Sequence, residues 1–275
     1  MRYSRTNAFR QPTLRANSLT LSLYNIPMTR KHLLIRALAA LLLALIMVPP
    51  SAGTADTTPS IAQLIPGEGS RLTSPIAVSA EVQPDAGGLV RIELLDKKGI
   101  AISRQLLHIP GSIKKNPQPF TSELPFEIHT EETNGLLIFS ILDPFLRPVA
   151  LRSARVTLLS RGEPQIQPLA GGDPWINLTE PEPMDSYAGG QVPVKGTVTP
   201  LTENPLFLEL IADDGRVIGT AQVRVQAAGQ NFDFETVLYY YYIQSLTDAR
   251  LVVRQMDNTF NTTAILDSLL ISVAP

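Results

Sequence analysis

The feature that most limits what this chain can fold into is an internal duplication. VRIELLDKKG at residues 90–99 returns as LFLELIADDG at 206–215, and the offset of 116 that pairs Gly99 with Gly215 also pairs Glu93 with Glu209, Leu94 with Leu210 and Val78 with Val194. On either side the match continues. IAVSAEV (76–82) answers QVPVKGTV (191–198), Phe120 answers Phe232 after a shorter loop, and LLIFSILD (136–143) answers RLVVRQMD (250–257). Solenoid units run to about 20–50 residues, so a period this long predicts two tandem domains of about 100 residues each.

Within each copy the apolar residues recur at every second position. Ile76, Val78, Ala80 and Val82 alternate, as do Val90, Ile92 and Leu94, and the second copy repeats the pattern in Val194, Gly196 and Val198 and in Leu206, Leu208 and Leu210. That period belongs to strands with one buried face. Seven such runs occur in the first copy, at 61–65, 76–82, 89–95, 100–107, 120–127, 136–142 and 151–159, separated by turn-forming segments such as PGEG, PDAGG and TEETNG. The expected fold class is therefore all-β, two tandem seven-stranded immunoglobulin-like sandwiches. The 275 residues contain no cysteine, so burial of aliphatic side chains must hold each sandwich without a disulfide.

The N-terminal segment has a different character. From Met28 the chain shows a basic start (Arg30, Lys31), an apolar run at 37–48 and small residues around Ala52 and Ala55, the pattern of a secretory signal peptide. The apolar run has 12 residues, fewer than the roughly 18–20 that span a bilayer, so contact with a membrane is expected only if the signal stays uncleaved as an anchor. The expected organisation is an upstream extension and signal peptide at 1–55, a first sandwich at 60–160, a proline- and glycine-rich linker at 161–174 with a hinge at Gly171 and Gly172, and a second sandwich at 175–275. All 25 acidic residues follow residue 55, against 16 of the 23 basic ones, so the part after the signal carries a net charge of −9. Such a surface repels phosphate backbones, and no nucleic-acid partner is expected. The compartment implied is secreted or cell-surface.

The first copy also resembles a known family. Pro66, Gly69, Ser74, Pro75 and Val78 in IPGEGSRLTSPIAV, then LLDKKG, then Pro119, Phe120, Leu124 and Phe126 in PFTSELPF, and ILDP ending at Pro144, are similar to the bacterial immunoglobulin-like domain that accompanies spore-germination GerMN modules. The resemblance spans about 60–160, with a divergent second copy at 175–275 that reads MDSYAGGQVPV where the Ser-Pro pair would stand. It implies an exported module and brings no catalytic residues with it.

Little in the sequence points to reaction chemistry. Two histidines follow the signal, His108 and His129, and HExxH, GxSxG and glycine-rich phosphate loops are all missing. No catalytic residue, cofactor or metal ligand is expected. Asp213 and Asp214 precede Gly215 where the first copy has Lys97, Lys98 and Gly99; the charge reverses and the glycine stays, which is the requirement of a hairpin turn rather than of a calcium loop. Asp173, Glu180, Glu182 and Asp185 beside the linker suggest a weaker candidate, an interdomain cation site. One pair stands out as a possible ligand contact. In FETVLYYYYIQSL, strand parity from Phe232 puts Tyr240 and Tyr242 inward and Tyr239 and Tyr241 outward. The outward pair could stack on a sugar ring or meet another protein. The expected role is a noncatalytic binding or structural module whose partner is an extracellular protein or, alternatively, a cell-wall glycan.

Overall fold

The computed structural model describes residues 58–85, 87–109, 117–168, 175–241 and 243–275. The extension and signal segment, positions 169–174 of the linker with Gly171, Gly172 and Asp173, and Tyr242 lie outside the described residues. The first copy contributes β1 (Ser60–Ile65), β2 (Arg71–Leu72), β3 (Ile76–Gln83), β4 (Leu89–Asp96), β5 (Ala101–His108), β6 (Gln118–Leu124), β7 (Glu132–Leu142) and β8 (Pro148–Leu159). Its eight segments recur in order in the second: β9 (Ile176–Glu180), β10 (Ser186–Tyr187), β11 (Gln191–Val198), β12 (Leu206–Ala212), β13 (Val217–Val223), β14 (Phe232–Tyr239), β15 (Thr247–Asp257) and β16 (Thr262–Val273).

Each copy is an immunoglobulin-like sandwich, with three strands in one sheet (β1-β3-β6, then β9-β11-β14) and four in the facing one (β5-β4-β7-β8, then β13-β12-β15-β16). The extra segments β2 and β10 are the first strand of each copy after it has changed sheets. Each pairs in parallel with the last strand of its own copy, Arg71 opposite Thr157 and Ser186 opposite Ser272. Two residues are too short to show an alternation, which is why the sequence pattern passes over them.

Burial follows parity. Ile76, Val78, Ala80 and Val82 are buried in the first core with Val90, Ile92, Leu94, Leu124 and Phe139, and Phe120 packs edge-on against Phe139 at 5.3 Å between ring centres. Val192, Val194, Val198, Leu206, Leu208, Leu210, Phe234 and Leu238 fill the second. Register corrects one detail of the repeat. Phe120 stands opposite Ala80, and the residue opposite Gly196, the counterpart of Ala80, is Phe234 rather than Phe232. Both phenylalanines share a parity, so matching the first aromatic of each copy misplaced the alignment by one full strand period. β6 also stops at Leu124, where the sequence pattern ran to 127, because Pro125 has no N–H to give the ladder.

The glycine turns behave alike. Gly99 N donates to Asp96 O and Gly215 N to Ala212 O, each at 2.9 Å, with φ of +77° and +85°. Asp214 accepts hydrogen bonds from the backbone N–H and the Nε of its neighbour Arg216, at 3.0 and 2.7 Å, and those two contacts hold its carboxyl below the usual aspartate range. Asp213 and Asp214 thus belong to a hairpin. Asp185 accepts from Glu182 N and Tyr187 Oη, while Glu180 pairs with Lys195 at 3.0 Å. These acids are engaged with protein partners, and among the described residues no group of three or more His, Cys, Asp or Glu side chains has metal-holding geometry.

Candidate functional site: an outward tyrosine strip and a two-domain seam

Of the four consecutive tyrosines, Tyr239 ends β14 and Tyr240 and Tyr241 follow it, and these three lie among the described residues. Up to Tyr239 the strand pairs with β11, Val237 opposite Pro193 and Tyr239 opposite Gln191. Beyond it the chain crosses to the other sheet: Tyr240 N donates to Gly190 O at 2.9 Å and Tyr241 N to Ile218 O at 3.0 Å. The approach depends on Gly219, where a Cβ would lie 2.5 Å from both the Tyr239 carbonyl oxygen and the Leu238 side chain. Tyr240 is 3% exposed, and its hydroxyl donates its one proton to Ala274 O at 2.7 Å, with Tyr187 O a second acceptor 3.2 Å away, tying down the end of the last strand. Its neighbours face outward. Tyr239 is 50% and Tyr241 62% exposed, and Val237 extends the same strip.

A second feature, the seam between the copies, was not singled out by sequence reasoning. The last strands of the two copies pair with each other, β8 antiparallel to β16 with Leu151 opposite Leu266, and this joins the two larger sheets into one. Leu151 and Leu266 are repeat counterparts, since each stands at the same register on its own neighbour, opposite Ser140 and Arg254 respectively. The junction therefore lies on a local two-fold axis relating the copies. Reciprocal contacts show it: Ser153 Oγ donates to Ala264 O at 2.8 Å, and its counterpart Ser268 Oγ donates to Val149 O at 2.6 Å. Between them Arg152 meets its own counterpart, Asp267, at 2.7 Å, with side chains 3% and 16% exposed. Arg152 Nη1 also donates to Leu151 O and Leu266 O. Burial pushes the Asp267 carboxyl above its ordinary value, with Arg152 opposing the shift.

A third apolar cluster closes the seam, formed by Leu95, Leu136, Ile138 and Leu151 from the first copy and Val252, Phe260 and Leu266 from the second, with Ile211 at its edge. Each such side chain contributes about 1.5–3 kcal/mol on burial, so the copies are fixed by packing as well as by the linker. The linker itself is partly strapped down, Gln165 N donating to Arg71 O and Gln167 N to Ser70 Oγ at 2.8 and 2.9 Å. One sequence signal foretold the cover. LLIFSIL at 136–142 is buried throughout, as a strand packed on both faces must be.

Among the described residues, three clefts of about 190 Å³ or more open along the seam. One of about 330 Å³ is lined by Pro59, Ile61, Ile176, Leu178 and the Arg152–Asp267 pair. The other two occupy counterpart positions: about 380 Å³ beside Lys97, Asn134, Gly135 and Arg155, with Glu68, and about 190 Å³ beside the counterparts Asp213, Asp248 and Ala249, with Asp143, Arg147 and Arg250. Duplication has kept the position of this cleft and put Asp213 where the first copy has Lys97, and Asp248 where it has Asn134. Neither tyrosine of the outward strip lines any of the three.

The architecture defines the class: tandem immunoglobulin-like sandwiches, joined through their last strands. No protein-family model matches the sequence, and no curated protein matches it. Similar solved structures include a biofilm-associated protein's BSP domain, 12% identical with a TM-score of 0.22, of whose length this chain spans only 29% while 79% of this chain is covered. The two tandem V-type regions of VCBP3, a v-region-containing chitin-binding protein, are 8% identical over 78% of this chain and 100% of theirs, with a TM-score of 0.26. A chimeric titin Z1Z2 tandem is 12% identical over 78% and 98%, at 0.24. At such scores the assignment rests on strand order and register rather than on superposition.

Proposed function

We propose that this chain is an exported, noncatalytic binding module that meets an extracellular protein through the outward strip of its second sandwich. The observation that carries this is the placement of Tyr239 and Tyr241: two half-exposed aromatic rings on a strand end anchored from behind by Tyr240. Aromatic anchors on a rigid support lose little conformational freedom on binding, which favours them as contact residues. The buried acids support the noncatalytic part, since Asp143, Asp257 and Asp267 are each held by an arginine within 3.0 Å.

The alternative is a cell-wall glycan stacked on the same rings. A glycan array probed with the chain and with a Tyr239→Ser/Tyr241→Ser variant separates the two: tyrosine-dependent glycan signal selects the alternative. If both forms adhere equally to intact cells, the strip is not the contact. The finer placement of the first sandwich beside GerMN-associated domains rests on the Pro66–Val78 and Pro119–Phe126 motifs. Secretion is read from the 37–48 segment and is tested by N-terminal sequencing of protein recovered from the medium.

A further inference from the structure

Three hairpins share one turn geometry, and one of them departs from what that geometry favours. Gly99 and Gly215 donate three residues back in the turns that start at Asp96 and Ala212, and Leu146 N does the same to Asp143 O at 2.9 Å. Where the first two have glycine, the third holds leucine at φ +64°. A left-handed conformation is strained for a residue with a Cβ, and here the side chain recovers little by burial. Leu146 is 51% exposed and the adjacent Phe145 73%. The tip is nonetheless held firmly. Asp143, itself buried, accepts from Phe145 N, Arg147 N and Arg147 Nε, and the Arg147 guanidinium lies 5.1 Å from the Phe145 ring centre. An ordered turn that keeps a strained, exposed leucine beside an exposed phenylalanine is built to present them.

The second copy shows how such a tip is used. Its corresponding turn begins at Asp257 and buries Phe260 against the first copy, where the Phe260 carbonyl rests on Gly99 so closely that no Cβ could be added. On the opposite side of the axis Arg250 replaces the counterpart of Leu136, and the Phe145 tip is left uncovered beside the acidic cleft of Asp213 and Asp248. The counterpart cleft of Lys97 and Arg155, with Glu68, Gly69, Gly135, Val156 and Phe260 in its walls, measures about 380 Å³. Benzene fills a cavity of about 150 Å³, so the volume admits a phenyl ring with room for a second side chain.

We propose that the Asp143–Arg147 tip of one copy of this chain seats Phe145 and Leu146 in the Lys97–Arg155 cleft of a second copy, with Asp213 beside the tip facing Lys97. Glu68 and Asp257, the latter through its ion pair with Arg155, bring the formal charge of that cleft to zero, so the electrostatic part of the contact rests on Lys97 meeting Asp213. Each copy carries one tip and one cleft, so the contact can extend head to tail or close into a ring.

Sedimentation velocity of the full chain over about 1–100 μM should show mass rising with concentration, and less steeply at about 0.5 M salt than at 0.05 M. Phe145→Ser with Leu146→Gly should weaken the association at least ten-fold while leaving the thermal midpoint unchanged or higher, because glycine relieves the left-handed backbone. Lys97→Asp and Asp213→Lys should each weaken it alone and restore it when the two variants are mixed. A single monomeric species throughout, or self-association that the tip variant leaves intact, overturns the proposal. So does tip-dependent binding to phosphatidylcholine/phosphatidylglycerol vesicles without self-association, which would make the tip a lipid contact.

Discussion

Breaking the ion pair on the local axis should loosen the whole seam. In Asp267→Ala the Arg152 guanidinium stays buried with its anion gone, and removing one partner of a buried pair costs about 3–5 kcal/mol. Because Nη1 keeps the Leu151 and Leu266 carbonyls, the cost should fall near the lower end, at about 3 kcal/mol. With a urea slope of about 3 kcal/mol/M, the midpoint moves down by about 1 M. Arg152→Leu should cost a similar amount at neutral pH by stranding the carboxylate. The double variant Arg152→Leu/Asp267→Leu, which buries no charge, should return to within about 1 kcal/mol of the parent. Acid supplies an independent check. The Asp267 carboxyl is raised in the folded chain, so its contribution to stability is complete below the ordinary aspartate value and is lost as pH rises through the folded one. Without Arg152 the folded value climbs further, and the penalty of Arg152→Leu should shrink as pH falls toward about 4. Urea titrations of the four proteins at two pH values measure all of this. Additive single-variant costs in the double, or a penalty that does not change with pH, would refute the reasoning.

Three further outcomes follow from local geometry. Gly99→Ala and Gly215→Ala meet the same positive φ, but only the first drives a methyl into the Phe260 backbone, so Gly99→Ala should cost at least about 1 kcal/mol more in thermal or urea unfolding. Tyr240→Phe strands the Ala274 carbonyl and should cost about 1–2 kcal/mol, accompanied by faster amide exchange in the last residues of β16. The Tyr187 phenol is pushed up to about 12, first by burial and then by Asp185; its ultraviolet titration should move to lower pH in Asp185→Asn.

Strand parity made the two sandwiches legible, and the Gly99/Gly215 correspondence made the hairpins legible, because both are dictated within a few residues. Parity likewise separates Tyr239 and Tyr241 from Tyr240. The seam was less accessible. Arg152 and Asp267 read as surface charges until the edge that covers them is known, and edge-to-edge pairing is decided by surfaces more than a hundred positions apart in the chain. The run LLIFSIL at 136–142, apolar but for Ser140, carried part of the message, since a sandwich with one solvated sheet would have alternated there. Leu146 looked ordinary because positive φ is a property of the turn and not of the residue.

The residue pair at the centre of the seam has a consequence for how such a joint can change. Were the same interface built from two separate identical chains, position 152 would face itself, and any charge placed there would confront its own sign. Linking the copies in one polypeptide removes that constraint, because each side of the axis is encoded separately. Arginine can stand on one side and aspartate on the other, and lysine at 97 can be answered by aspartate at 213. Fusion thus turns a self-matching surface into a polar one with two distinguishable ends.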